Sequence, residues 1–256
     1  MNLAALRYEE LALNAFSALH TEVYDGWLLR FAQGAGFSGN CVIPLYLSTR
    51  AYEDKIIYCE EKFAARRLPC VFKMTANVSS SLDQQLALKG YEMAGKTRIM
   101  ECSLSPYRGQ RTETTEQTRI TLSHTLEEGW LEAFLGLDDV EERQEANTAR
   151  TMLEAIRNPV YCAAVYEHGS IVGCGLGVLE DGKIGLYDIR VKEGMRKLGI
   201  GSAICRAIME EGARNEADTA YLQVGASNRA ALALYESLGF REVYTYWYRV
   251  KPNVNS

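Results

Sequence analysis

The 256-residue sequence lacks any run of 18 consecutive apolar residues, and this excludes an ordinary membrane-spanning helix. It also lacks an excess of positive charge, because 28 Lys and Arg residues against 33 Asp and Glu residues give a net charge of −5. Non-specific nucleic-acid binding requires a basic surface, so nucleic acid is not an expected partner. The N-terminal residues show no basic segment followed by an apolar core, so no signal peptide is predicted.

Cysteine and histidine are too few and too scattered to predict a metal site or a disulfide framework. The seven cysteines are odd in number, no two lie three positions apart, and most stand in apolar segments. A reduced cysteine there acts as a small hydrophobe, which favours a reducing, cytoplasmic compartment. No local signature supports a Cys–His nucleophile pair, and no metal is expected. The residues concerned are Cys41, Cys59, Cys70, Cys102, Cys162, Cys174, Cys205, His20, His124 and His168.

The length allows one large domain or two small ones, and the charge is divided unevenly between the halves. Residues 1–106 hold equal numbers of basic and acidic residues, so the whole net charge belongs to the remainder. The stretch from 105 to 118 is polar, contains Pro and Gly, and has no apolar periodicity, which is typical of a linker. The sequence therefore predicts a lobe at 1–105, a linker at 106–118 and a second lobe at 119–256.

Periodicity in the second lobe predicts a mixed α/β domain: a strand, two helices, three strands, and then alternating helices and strands. Asn158-Pro159 ends the second helix and Gly239 ends the last one. The predicted strands are 119–122, 161–167, 171–179, 183–191, 219–224 and 243–250, and the predicted helices are 126–137, 141–156, 199–215 and 228–238.

The first lobe ends in a similar pattern, with predicted helices at 52–67 and 81–89 and predicted strands at 70–75 and 94–104. Both tails pass from a helix through a glycine and an aromatic residue into a strand, at Gly90 and at Gly239. The offset of 149 residues suggests a repeat of a whole domain. Because a glycine commonly follows a helix, coincidence is the open alternative.

A basic, glycine-spaced turn follows the strand at 183–191 and opens the next helix. Gly199 and Gly201 let the backbone approach a ligand closely, and the first amides of the helix point toward an anion. Arg196 and Lys197 add positive charge. This pattern predicts a pyrophosphate cradle, with a purely structural turn as the alternative, and it is neither a Walker loop nor a dinucleotide motif.

A second motif runs from Asn228 to Phe240, where Asn228 suits a helix N-cap and Tyr235 faces the same side two turns later. Together the two motifs resemble the GNAT superfamily of acetyl-CoA-dependent N-acetyltransferases. Arg196-Lys-Leu-Gly-Ile-Gly fits its Arg/Gln-x-x-Gly-x-Gly/Ala signature, and Asn228 through Phe240 fits Asn-x-x-Ala-x-x-Leu-Tyr-x-x-x-Gly-Phe. The resemblance covers about residues 119–250 and implies a three-layer mixed α/β fold, in tandem if the repeat is genuine.

The resemblance also implies roles for acetyl-CoA as co-substrate. The backbone groups of Ile189 and Val191 would pair with the pantetheine arm, the amides of residues 197–202 would hold the pyrophosphate, and Asn228 would bond the pantetheine or phosphate region. Tyr235 would protonate the departing thiolate, and the amide of Ile189 or of its neighbour in the strand would stabilise the oxyanion. The implied coenzyme-binding residues are Ile189, Arg190, Val191, Arg196, Lys197, Leu198, Gly199, Ile200, Gly201, Ser202, Asn228 and Tyr235.

The general base is less clearly indicated. Gln223 stands where the ribosomal-protein alanine acetyltransferase branch of the superfamily carries Glu, so neither that base nor that substrate carries over. Asp188 and Glu180 are the expected candidates, acting directly or through water, with solvated strand-edge carboxylates as the alternative. The first lobe has Leu86 in place of Tyr235 and no glycines in the segment matching the cradle, so it is expected to shape the acceptor cleft.

The expected acceptor is a primary amine of a small molecule or peptide. The acidic run at 138–145 could attract it, or could be a solvated helix start. Trp130, Phe134, Tyr246 and Trp247 could form aromatic walls or belong to the core. Segments 24–31 and 34–40 are expected to line the cleft. The alternative function is a non-catalytic acyl-CoA-binding regulatory module, and either a monomer or a homodimer is compatible with the sequence.

Overall fold

The computed structural model describes residues 2–32, 36–109, 119–137 and 143–252. In this part of the chain no helix is long and apolar enough to cross a membrane. The helices are α1 Leu3–Ala15, α2 Tyr52–Ala64, α3 Ser80–Leu88, α4 Glu128–Gly136, α5 Arg143–Glu154, α6 Ile200–Arg214 and α7 Arg229–Ser237. The strands are β1 His20–Tyr24, β2 Trp27–Phe31, β3 Val42–Pro44, β4 Val71–Met74, β5 Glu92–Ser103, β6 Arg119–Ser123, β7 Val160–Glu167, β8 Ser170–Glu180, β9 Lys183–Val191, β10 Thr219–Gly225 and β11 Arg241–Val250.

These eleven strands form one sheet in the order β1-β2-β3-β4-β11-β5-β10-β9-β8-β7-β6. Alternate residues of a strand enter cores on opposite faces of the sheet. In β10, Tyr221 packs in the same core as α1 and α4, whereas Leu222 packs in the core of α6 on the other face. In β4, Val71 belongs to the core that contains Tyr221, and Phe72 packs with α2. Helices therefore cover both faces, and the predicted three-layer mixed α/β fold is confirmed.

The two halves of the chain exchange their last strands. β11, from the second half, lies between β4 and β5, and β5, from the first half, lies between β11 and β10. The β5–β10 ladder is antiparallel and runs from Ser103 opposite Thr219 to Thr97 opposite Gly225. Neither half closes its sheet without the other, so the predicted lobes share a continuous backbone hydrogen-bond network.

The ends of α3 and α7 have matching geometry. Gly90 has a φ of 84° and Gly239 a φ of 92°, a conformation that glycine adopts without strain. The next amide in each case bonds back at 3.0 Å, from Tyr91 to the Leu86 carbonyl and from Phe240 to the Tyr235 carbonyl. Each helix also begins with a side-chain N-cap, at positions 79 and 228, which are again 149 residues apart. This agreement favours a repeat over coincidental helix endings.

The predicted lobe boundaries remain predictions, and residues 110–118 of the predicted linker lie outside the described residues. The preceding segment packs against the second half: the Leu104 amide donates to the Asp218 carbonyl at 2.8 Å. The Tyr107 hydroxyl lies 3.4 Å from the Leu238 carbonyl.

Glycines on one face of β8 allow α6 to lie unusually close to the sheet. A Cβ atom added at Gly173, Gly175 or Gly177 would lie 2.5–2.7 Å from a side-chain carbon of α6, far inside contact distance. The three positions alternate along the strand, so they share one face. They fix the height of α6 above the sheet and with it the position of the helix N-terminus.

Candidate active site

β9 and β10 are parallel neighbours that separate halfway along their length. Their register runs from Lys183 opposite Thr219 to Leu186 opposite Leu222, whereas β9 continues to Val191. At the point of separation Asp188 has a φ of 49°, and the register between β8 and β9 shifts there. Such a bulge bends the strand and ends local pairing. The edge of β9 beyond Leu186 is therefore available to an extended ligand that adds like a strand.

The N-terminus of α6 lies beside this open edge. Gly199 occupies the N-cap with a φ of 81° and provides no side-chain cap, and the first helical bond runs from the Ala203 amide to the Gly199 carbonyl at 3.0 Å. The amides of residues 200–202 therefore precede the helix's own hydrogen bonds and point outward, where an anion can accept them. A Cβ added at Gly201 would lie 3.3 Å from Leu234 of α7, so this position has little room for a side chain.

A cleft of about 550 Å³ joins the β9 edge, the basic turn and α7. Ten of the twelve predicted coenzyme-binding residues line it. The exceptions are Leu198, whose side chain is exposed, and Ile200, whose side chain packs against Gly173; only their backbone groups can contribute. The ten lining residues are Ile189, Arg190, Val191, Arg196, Lys197, Gly199, Gly201, Ser202, Asn228 and Tyr235.

The α7 residues of the second motif have the predicted placement. The Asn228 side chain accepts a hydrogen bond from the Ala231 amide at 3.1 Å, so it caps the helix. Tyr235, two turns later, is 9% exposed and packs edge-on against Phe240. Burial, followed by nearby Cys205 and Asp188, raises the pKa of Tyr235 well above its ordinary value. Its hydroxyl therefore stays protonated at neutral pH and can act as a proton donor.

A second cavity, of about 290 Å³, lies between the two halves and shares Tyr235 with the first. The first half contributes residues from α1, β2, the loop before β3, β3 and β4, and the second half contributes residues from α5, β9, β10, α7 and β11. Its polar and aromatic lining residues are Glu9, Phe16, Arg30, Ser38, Cys41, Lys73, Tyr187, Asp188, Gln223, Tyr235, Tyr246 and Tyr248.

A buried ion pair stands in the wall of this second cavity. Lys73 Nζ lies 2.6 Å from Glu9 Oε2, and Glu9 also accepts a hydrogen bond from the Tyr244 hydroxyl at 2.8 Å. Burial alone disfavours the charged lysine, but the Glu9 carboxylate raises the pKa of Lys73, so the pair is ionic. Gln223 turns its side-chain oxygen to the Tyr246 hydroxyl at 2.8 Å and is a hydrogen-bonding wall residue.

The structure separates the two candidate bases. Asp188 lines the second cavity, with a side chain 39% exposed and 3.6 Å from Arg190. Glu180 pairs with Lys183 at the far end of the β8–β9 hairpin, roughly 16 Å along the strand from Asp188. It lines neither cavity and instead accepts hydrogen bonds from Asn14 and Asn158, each at 2.9 Å. The structure therefore does not bring Glu180 to this site.

The expected acceptor-binding aromatics are mostly structural. Trp130 is buried, and its indole N–H donates to the Ala163 carbonyl at 2.9 Å. The ring of Phe134 packs against the Arg190 guanidinium, whose Cζ lies 3.8 Å from the ring centre. Trp247 bonds Asp83 in the first half. Of the four, Tyr246 lines the second cavity. Residues 138–142 of the acidic run lie outside the described residues, as do 34 and 35 of the expected cleft loop.

Sequence reasoning missed Glu9 and Lys73 as cavity residues of the first half, and it included Arg30 only as part of segment 24–31. A signal was present in two of them, because Arg30 and Lys73 interrupt apolar strands, and a charge within such a strand needs a buried partner or a cavity. Segment 24–31, expected to line the cleft, contributes Arg30, and segment 34–40 contributes Ser38.

The first half contains a counterpart of the anion cradle that is filled by its own side chain. The Asp25 carboxylate accepts hydrogen bonds from the amides of Thr49 and Arg50, each at 3.0 Å, and from the Thr49 hydroxyl at 2.8 Å. These amides correspond to positions 198 and 199 at the repeat offset. They and the Thr49 hydroxyl hold the pKa of Asp25 well below its ordinary value, so an internal anion occupies this cradle.

Comparison with known proteins agrees with the fold. The chain is 26% identical over 250 residues to the uncharacterized N-acetyltransferase YobR of Bacillus subtilis, covering 96% of this chain and 98% of that protein. A GCN5-related N-acetyltransferase from Kribbella flavida superposes with a TM-score of 0.69 at 13% identity, covering 97% of this chain and 96% of that one. A tandem GNAT protein from the clavulanic acid biosynthesis pathway superposes with a TM-score of 0.66 at 12% identity, covering 99% and 94%.

The sequence matches and the fold together define an N-acetyltransferase of the GNAT superfamily. Residues 4–249 match the family described as "Probable histone acetyltransferase Rv0428c C-terminal", and the chain belongs to that family. The match spans both halves, in agreement with the strands that they exchange.

Proposed function

We propose that the protein transfers an acetyl group from acetyl-CoA to the primary amine of a small molecule. The observation that carries this proposal is the position of Tyr235, which lines both the larger cleft and the smaller cavity. Because Tyr235 borders both the cleft and the cavity, it can reach a bond that breaks in one of them and a bond that forms in the other. The small size of the second cavity favours a small molecule over a peptide.

The larger cleft suits acetyl-CoA in shape and in chemistry. The open edge of β9 at Ile189 and Val191 can pair with the amides of the pantetheine arm, and the uncapped start of α6 can receive the pyrophosphate. Arg196 and Lys197 supply positive charge at the same point. Asn228 keeps its side-chain amide nitrogen for the ligand while its oxygen caps α7.

The chemistry assigned to the chain is proton transfer and charge stabilisation. The bound thioester supplies the acyl group: an uncharged amine attacks its carbonyl carbon, the C–N bond forms and the C–S bond breaks. Tyr235 donates its proton to the leaving thiolate. Asp188 takes the proton lost by the amine, directly or through one water, and the backbone amide of Ile189 at the bulge stabilises the oxyanion.

The test is release of the CoA thiol with a panel of amines, together with a matched pair of glycine variants. Gly199→Ala forces a Cβ into a left-handed conformation, which costs about 1–2 kcal/mol and should raise the KM for acetyl-CoA several-fold. Gly194→Ala, in the same turn, has open space and an ordinary φ and should leave the KM unchanged. Tight coenzyme binding without turnover on any amine would support the alternative, a non-catalytic acyl-CoA-binding module.

A further inference from the structure

The charges around the smaller cavity are not all paired with one another. Among the described residues, two cationic side chains line it, Arg30 and Lys73. Lys73 is committed to Glu9 in the buried ion pair. Arg30 is 6% exposed, and in the described part of the chain its guanidinium makes one hydrogen bond, to the Phe16 carbonyl at the end of α1.

A guanidinium has five N–H donors, so one carbonyl leaves most of this capacity unused. Burial without a carboxylate partner is unfavourable, and it lowers the pKa of Arg30 from its ordinary value. A planar fork of donors facing a cavity matches a carboxylate, which it can bind with two parallel hydrogen bonds. The Ser38 hydroxyl lines the same cavity and can add a further bond.

We propose that Arg30 binds a carboxylate on the acceptor, so that the substrate is a small amino acid-like molecule carrying both an amine and a carboxylate. This rests on the proposed acetyl transfer. Tyr235 and Asp188 line the cavity where the amine must react, and Arg30 lines the same cavity from the first half. At about 290 Å³ the cavity holds both groups within one small molecule. The first half thus contributes to acceptor specificity.

The test compares each amino acid acceptor with its own carboxamide, which has the same amine and side chain but no negative charge. The ratio of kcat/KM for the carboxylate form to kcat/KM for the carboxamide should be about 10- to 100-fold higher in the wild type than in Arg30→Gln, the range expected for a buried charge-assisted hydrogen bond. Arg30→Gln should remove this preference. The two acceptors differ in the basicity of their amines. This difference cancels when the ratio of their two kcat/KM values is compared between the wild type and the variant.

Two further variants make the result specific. Arg66→Gln is the matched control, because Arg66 lies outside the cavity and pairs with Glu22 at 2.6 Å; the ratio should stay as in the wild type. Arg30→Lys keeps one charge without the fork and should give an intermediate ratio. If Arg30→Gln does not fold, competitive inhibition of the wild type by simple carboxylic acids, against their amides, measures the same preference.

The outcomes separate the two proposals. An unchanged ratio in folded Arg30→Gln overturns the carboxylate assignment while acetyl transfer stands. Absence of thiol release with every amine, charged or neutral, despite coenzyme binding overturns the proposed function itself.

Discussion

Replacement of Tyr235 by Phe tests the central chemical assignment. The change removes one hydroxyl and keeps the ring that packs on Phe240, so the free energy of unfolding should change by no more than about 1 kcal/mol. The side chain is 9% exposed, which limits replacement of its proton donor by bulk water. General acid catalysis contributes about 10²–10⁴-fold, so we expect kcat to fall by at least about 10²-fold while coenzyme affinity stays within about threefold.

The assay is steady-state thiol release, repeated with an acetyl thioester whose leaving thiol is more acidic. A stable thiolate needs no proton, so the deficit of the Phe variant should shrink with that substrate. Tyr161→Phe is the control, since Tyr161 is a buried tyrosine of the same core and lines neither cavity. A deficit of equal size with both thioesters would refute the acid role and leave Tyr235 as a positioning residue.

Three further predictions concern stability and reactivity. Asp25→Asn should lower the melting temperature at pH 7; because the folded pKa of this carboxyl is depressed, the difference should be fully present above about pH 4 and vanish as the pH falls further. Gly175→Val would place its Cβ 2.6 Å from Ile189 and 2.7 Å from Ile204, and calorimetry should show a loss of about 1–3 kcal/mol; full stability would contradict the packing. Burial raises the pKa of Cys41 to about 11, so alkylation at pH 8 should be at least about 100-fold slower in native than in unfolded protein, as mass spectrometry can measure.

The elements of the second half follow closely from local sequence patterns. The strand predicted at 183–191 coincides with β9, and the helix predicted at 199–215 contains α6 with one extra residue at each end. Alternation, a glycine turn and a glycine C-cap are all encoded within a few residues. The same holds for the larger cleft, whose lining residues come from two contiguous segments, 189–202 and 228–235, with the exception of Leu137.

Long-range features could not be predicted in this way. The exchange of β5 and β11 depends on pairing between residues more than 100 positions apart, and no local pattern specifies it. The prediction of Glu180 as a candidate base has a similar explanation. Glu180 is close to the site along the sequence, but the sequence does not show which end of the strand faces the cleft. Glu9 reaches the second cavity only because α1, which was not predicted, packs across the sheet of the other half.

The exchanged strands also constrain how the protein is made. The ribosome adds residues in order, yet β11, at positions 241–250, belongs in the middle of the sheet, between β4 and β5. Until β11 emerges, β4 and β5 of the first half each have an unpaired edge where the finished protein places β11 between them. Final folding must therefore wait for nearly the whole chain, and a nascent chain stopped before β11 carries an exposed pairing surface suited to chaperones or to aggregation. Separate expression of residues 119–256 would leave β10 and β11 without the strand that joins them, so we expect that the lobes do not fold independently.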